Sequence, residues 1–248
     1  MTNAILKMWI DALFWLTLAI LFLAAFTKAT LGFGESLLTI PMLTLVLGVQ
    51  TAVPLVSLIA GTITLLMLVR GWQELRMAVV WRLMLAALVG APIGVWALAF
   101  LPGPLVTKTL GVMLIGVGLF YLRRPTIQLF QEQQWAYLFG LVAGILGGAY
   151  SMASPPVLIY GAAQRWSPEQ FRVMLQGFFL PLSAMILISH AAAGLWSRPV
   201  LQYYALSWPI MLIAFWLGEK VSQRISTAQF ERVLYGALIV LGAALLVR

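Results

Sequence analysis

The feature that most constrains this chain is a succession of long apolar runs, each separated from the next by a short break, most of them carrying arginine or lysine. A helix crossing roughly 30 Å of hydrocarbon needs about 20 residues. Residues 8–27, 51–69, 81–101, 105–122, 171–193, 200–218 and 231–247 meet or approach that length. The composition fits a chain built for lipid: 62% of its 248 residues are hydrophobic, 9% are charged, and the mean hydropathy is +1.00. That excludes an ordinary soluble enzyme. A net charge of +8 would point to nucleic acid in a soluble protein. Here the basic residues fall in the breaks between spans, so no nucleic-acid partner is expected. The absence of cysteine excludes a disulfide framework, a thiolate metal site and a cysteine nucleophile.

The first run is interrupted by Asp11, is too long for a signal-peptide core, and lacks a clean small-x-small site after it, so it reads as part of the mature protein. The longest polar stretch, 123–134, is too short to bury a core of its own. Two further stretches read as broken helices. Residues 29–47 carry Gly32, Gly34, Glu35 and Pro41; residues 136–164 carry Gly147, Gly148, Pro155 and Pro156. At that density glycine and proline free backbone polar groups, which a membrane tolerates only against protein or a water-filled cavity.

The two halves match. A shift of 115 residues places Leu31 on Leu146, Gly32 on Gly147, Ser36 on Ser151, Pro41 on Pro156 and Leu43 on Leu158, with Thr39 opposite Ser154. A shift of 124 then places Trp72 on Trp196, Gly94 on Gly218, Leu110 on Leu234, Ile115 on Ile239 and Gly118 on Gly242. The expected fold is an all-α polytopic membrane protein of two inverted repeats, each with a broken, re-entrant helical element plus three spanning helices. Residues 1–124 form the first repeat, 125–134 a short cytoplasmic linker and 135–248 the second. With the N-terminus outside, the inner breaks hold Arg70, Arg76, Arg82, Arg123, Arg124, Arg165, Arg172, Lys220, Arg224 and Arg232, against Lys7, Lys108, Arg198 and Arg248 outside. This bias places both termini outside.

Inverted broken elements bring their tips together near the bilayer midplane, where a substrate is expected. The first tip offers Lys28, Thr30, Gly32, Gly34, Ser36 and Thr39, and the second offers Gly147, Gly148, Tyr150, Ser151 and Ser154, followed by Pro155 and Pro156. Glycine permits close backbone approach, helix N-termini present free N–H groups at a positive dipole end, and hydroxyls donate to oxygen, a set suited to a small oxyanion. Ser154 is expected as the N-cap of a half-helix whose first turn holds both prolines. Lys28 has two readings: a midplane ammonium that meets the substrate, or a side chain snorkelling to the inner surface. Glu35 either pairs with it or carries a coupling proton. Arg172 and Gln176, one turn apart, are candidates for the pathway. His190, the only histidine, reads as a packed residue rather than half of a Ser189/His190 hydrolase, and the tryptophans near span ends as interfacial anchors. No metal-ligand cluster, P-loop, dinucleotide fingerprint or haem motif is seen, so no metal or cofactor is expected.

Gly32-Phe-Gly-Glu-Ser36 leading to Pro41, and Gly147-Gly-Ala-Tyr-Ser151-Met-Ala-Ser154-Pro155-Pro156, resemble the TauE/SafE-type sulfite exporter family, over roughly residues 15–247. Ser151 and Ser154 stand where glycine is common in that family. The resemblance implies an inner-membrane secondary transporter, an exporter of sulfite, thiosulfate or a sulfonate by alternating access, whose partners are that anion and the lipid bilayer, with a homodimer left open. The rival readings are an intramembrane enzyme and a channel or membrane scaffold.

Overall fold

The structure is a computed structural model that describes residues 12–31, 34–71, 77–123, 132, 134–164, 168–222 and 227–247, without the side chains at 31, 68–71, 77–80, 168–174, 176, 222 and 227–234. Among these residues the chain is all-helical, in two runs of five. The first run is α1 (Ala12–Leu31), α2 (Glu35–Leu47), α3 (Val49–Gly71), α4 (Met77–Phe100) and α5 (Gly103–Arg123). The second is α6 (Trp135–Tyr150), α7 (Ser154–Ala163), α8 (Pro168–Ala192), α9 (Arg198–Ser222) and α10 (Thr227–Val247). Each run has a helix, a short interruption, a short helix and three longer ones. Five helices carry described stretches long and apolar enough to cross a membrane, in α1, α3, α4, α5 and α9. This is a multi-pass membrane protein.

The interruptions are local backbone events. Gly34 stands at φ +83° immediately before α2, and Gly48 at φ +79° ends that helix with its N–H on the Thr44 carbonyl at 3.0 Å. Glycine takes such angles without the Cβ clash that penalises other residues. The second interruption follows α6, where Ser151 adopts φ +54°, the one described non-glycine residue with positive φ. Its N–H bonds the Gly147 carbonyl at 2.8 Å and the Met152 N–H bonds the Leu146 carbonyl at 3.2 Å, a pair of closing bonds that satisfies two last-turn carbonyls. Ser154 is not the N-cap expected from sequence. Helix α7 begins at Ser154, Ala153 stands before it in the helical region, and no side-chain cap is made. The prolines contribute to this, because Pro156 at the second helical position has no N–H and leaves the Val157 N–H as the single donor a cap at Ser154 could satisfy. The breaks are also spaced differently from the sequence match: the short helices that follow them, α2 and α7, begin at Glu35 and Ser154, 119 residues apart (154 − 35). The offset from 115 is four residues, about one helical turn, so the same helix faces stay matched.

Packing sets which helices meet. Helix α4 packs along α6 and α9 along α1; α5 packs along α10 and α3 along α8. Close approach is made by small residues, as interhelical contact in lipid requires. A Cβ on Gly140, Gly144 or Gly148 of α6 would run into the backbone of Leu83, Ala87 or Ala91 of α4, and one on Gly94 into that of Ile145. At the counterpart pair, a Cβ on Gly218 of α9 would lie 2.8 Å from the Phe26 carbonyl of α1, whose Thr30 hydroxyl reaches the Gly218 carbonyl at 3.3 Å. In the α5–α10 contact, Gly118 faces Ile239 while Gly242 faces Ile115. These are the residues that the 124-residue shift pairs. Helix α3 is the most enclosed of the five candidate spans, with 67% of its apolar window buried against 28% in α5 and in α9.

Candidate functional site

Both interruptions open onto one small, partly open cavity, with about 30 Å³ available to the centres of water-sized molecules, where one water needs roughly 10–15 Å³ on the same measure. From the first break come Lys28, Gly34, Glu35 and Ser36; from the second, Gly147, Ser151, Ala153 and Ser154. Helix α3 adds Ala60, its central residue, and α8 adds Phe179, Leu182, Ser183 and Ile186 from its middle. The cavity therefore lies halfway along two of the longer helices.

Its electrostatic centre is one ion pair. Lys28, in the last turn of α1, donates from Nζ to Glu35 Oε1, the first residue of α2, at 2.8 Å. Both are buried, at 4% and 6% exposure, so Lys28 does not snorkel. The break makes the pairing possible: it reverses the dihedral sense at Gly34 and brings residues seven apart into contact. Glu35 also sits where a carboxylate complements the positive end of a helix. The Lys28 ammonium lies 5.6 Å from the centre of the Phe179 ring, a second favourable contact for the charge. Ser36 is buried beside the pair, and its Oγ has no hydrogen-bond partner among the described residues. A buried donor without a partner costs roughly 1–3 kcal/mol; among the described residues the Thr44 hydroxyl and His190 Nδ1 are also unpartnered, but of the three only Ser36 lines the cavity. The amides of Glu35 and Ser36 belong to the uncapped first turn of α2 and lack intrahelical acceptors.

The family described as Sulfite exporter TauE/SafE matches residues 17–245. The chain belongs to the TauE/SafE sulfite exporter family. It is also similar to the probable sulfite/organosulfonate exporter TauE of Cupriavidus necator, at 28% identity over 175 residues, 67% of this chain and 68% of that protein. No solved structure matches the chain.

Of the residues singled out from sequence, Lys28, Gly34, Glu35, Ser36, Gly147, Ser151 and Ser154 meet at the cavity of this TauE/SafE protein. Others are engaged elsewhere. Tyr150 is buried and donates its hydroxyl to the Val106 carbonyl of α5 at 3.1 Å, and Thr39 donates to the Glu35 carbonyl at 2.7 Å. Gly148 is spent on packing against α4, and its carbonyl lies 3.1 Å from His190 Nε2. Thr30 bonds the Phe26 carbonyl at 2.7 Å, and the Pro155 carbonyl accepts from Tyr121. Gly32 lies outside the described residues, as do the side chains of Arg172 and Gln176. Sequence reasoning missed Ala60, Ala153, Phe179, Leu182, Ser183 and Ile186. Only Ser183 left a trace, as a hydroxyl within an apolar span.

Proposed function

We propose that this chain is a secondary transporter that exports a small sulfur-containing anion, such as sulfite, thiosulfate or a sulfonate, through the cavity between the two broken helices. The observation that carries this is the Lys28–Glu35 pair beside the unpartnered Ser36 hydroxyl, enclosed at the middle of α3 and α8. A buried ammonium in a membrane protein is by default a functional hypothesis. Its neighbours here are hydroxyls and first-turn amides, the donors an oxyanion uses. Lys28, Ser36, Ser151 and Ser154 hold the anion; Gly34 and Gly147 let backbone approach it.

The transport cycle we propose is alternating access by two inverted repeats, residues 1–124 and 135–248, joined by a cytoplasmic linker at 125–134. Support comes from the repeated five-helix order and from the reciprocal pairing of α4 with α6 and α1 with α9. The Gly118–Ile239 and Gly242–Ile115 contacts interchange under the 124-residue shift, which is what a two-fold relation between repeats produces. The excess of arginine and lysine in alternate breaks supports an inner-membrane placement with both termini outside. A potential that is positive outside favours outward movement of each net negative charge by about 2.3 kcal/mol per 100 mV.

The test is flux of sulfite, thiosulfate and sulfoacetate in proteoliposomes under an imposed potential, with Lys28→Ala beside the unaltered protein. Saturable flux of one anion, lost in the variant, is the expected result. Flux that survives the substitution removes Lys28 from the site, and flux that never saturates favours a channel.

A further inference from the structure

We infer that Glu35 is a resident stand-in for the transported anion, and that each anion entering the site displaces it from Lys28 with uptake of one proton. The inference rests on the anion site proposed above and adds its proton stoichiometry. With no anion bound, Glu35 does two jobs. Its carboxylate accepts from Lys28 Nζ at 2.8 Å, and it supplies the negative charge at the start of α2. An arriving oxyanion is drawn to the same ammonium and to the first-turn amides beside it, so the two anions compete for one set of donors. Two anions sharing one buried site cannot both stay ionised, and a buried carboxylate without a partner neutralises rather than remaining charged. The vacant donor at Ser36 Oγ, which Glu35 leaves unused, favours the newcomer, which carries more acceptor oxygens than the carboxylate.

The charge balance is closed. Before binding the site holds an ammonium and a carboxylate. Afterwards it holds an ammonium, the anion and a carboxylic acid whose proton comes from the aqueous phase and bonds to the Glu35 carboxyl. No other described group is placed to take that proton. Lys28 and Glu35 are the ionisable residues among those lining the cavity. Helix α3 presents Ala60 there and α8 presents Phe179 and Ser183. Of the other two helices packed on α2, α5 has its Tyr121 hydroxyl on the Pro155 carbonyl, and the ring of α10's Tyr235 is stacked on that of Tyr121 at 4.8 Å. His190 turns its Nε2 to Gly148.

The test is calorimetric titration of the purified, reconstituted protein with methanesulfonate and with thiosulfate, each in two buffers of different ionisation heat, which counts protons taken up per anion. One proton is expected for both probes despite their different charge, with Kd rising about tenfold per pH unit. In Glu35→Gln the count falls to zero and the pH dependence disappears. Binding without proton uptake in the unaltered protein overturns the inference and leaves the anion site standing. Binding of neither probe at any pH overturns the anion site itself, and this inference with it. The count in the unaltered protein decides the matter even where Glu35→Gln does not fold.

Discussion

Replacing Lys28 by methionine, which keeps an unbranched side chain one atom shorter and removes its charge, leaves Glu35 buried without a counter-ion. At 2.8 Å and an effective dielectric of about 20 the direct attraction lost is roughly 6 kcal/mol. Part of it is offset, because the ammonium no longer has to be desolvated. Measured losses from breaking one side of a buried pair are about 3–5 kcal/mol, whereas replacing both partners is neutral or stabilising. For a chain of this size a loss of about 3–5 kcal/mol lowers the melting temperature by roughly 6–20 °C. The double variant Lys28→Met with Glu35→Gln is therefore expected to melt above either single variant. The assay is thermal unfolding in detergent with no transportable anion. Single variants that each lose less than about 1 kcal/mol, with losses that simply add in the double variant, would show that water in the cavity already solvates both charges and would refute the reasoning.

Three further expectations concern the frame around the pair. Ser151→Gly relieves the left-handed backbone strain of about 1–2 kcal/mol and recovers slightly less because of glycine's greater freedom when unfolded, for a net gain of roughly 0.5–1 kcal/mol in melting experiments. If its hydroxyl also holds the anion, the same variant melts higher yet transports more slowly. Gly144→Ala drives a methyl group into the α4 backbone at Ala87 and should cost about 1–3 kcal/mol, while Gly116→Ala, with open space around it, gains up to about 1 kcal/mol from helix propensity; equal melting of the two would contradict the packing. Because the chain has no native cysteine, Arg198→Cys and Arg123→Cys each give a single label site, and an impermeant maleimide should reach position 198 in intact cells but position 123 only after permeabilisation. The reverse pattern, or both sites labelled from outside, would undo the proposed topology.

The fold was legible wherever one physical demand dominated the sequence. Spans read from hydropathy begin and end within a few residues of α3, α4, α5, α8 and α9, because burying about 20 apolar residues per crossing leaves little freedom in their limits. The breaks were legible as regions and not as residues. Glycine marks both a turn and a close helix contact, and the sequence does not say which. Gly34 and Gly147 border the cavity, whereas Gly148, adjacent to Gly147, points the other way into α4, and Gly140 and Gly144 follow it on the same face at four-residue intervals. That spacing was the available signal for packing. Ser154 illustrates a different failure. Capping preference made it an N-cap, but the second of the two prolines after it had already removed one of the two donors a cap serves. The apolar wall of the cavity, Phe179, Leu182 and Ile186, could not be separated from any other part of α8, since a residue facing a cavity and one facing lipid are equally hydrophobic.

An anion site inside a membrane protein has to solve the problem of its own empty state. A lone ammonium in a low-dielectric cavity is costly to fold around and costly to move, since each uncompensated charge carried across the membrane field costs about 2.3 kcal/mol per 100 mV. Lys28 avoids both costs by keeping Glu35 within 2.8 Å. In the alternating-access cycle proposed above, the unloaded carrier then reorients with a neutral site. The loaded carrier is neutral too for a monovalent anion, because the anion takes the carboxylate's place as the negative charge and the proton neutralises the carboxylate, so the membrane potential acts only on anions of higher charge. The consequence is a trade-off in affinity: the anion gains Lys28 only by displacing a partner already in place, so the site releases its cargo more readily than a bare ammonium would. The break at Gly34 supplies the geometry for this exchange, since a continuous helix would hold residues 28 and 35 two turns apart on its surface, with nothing to bend them together around an empty space.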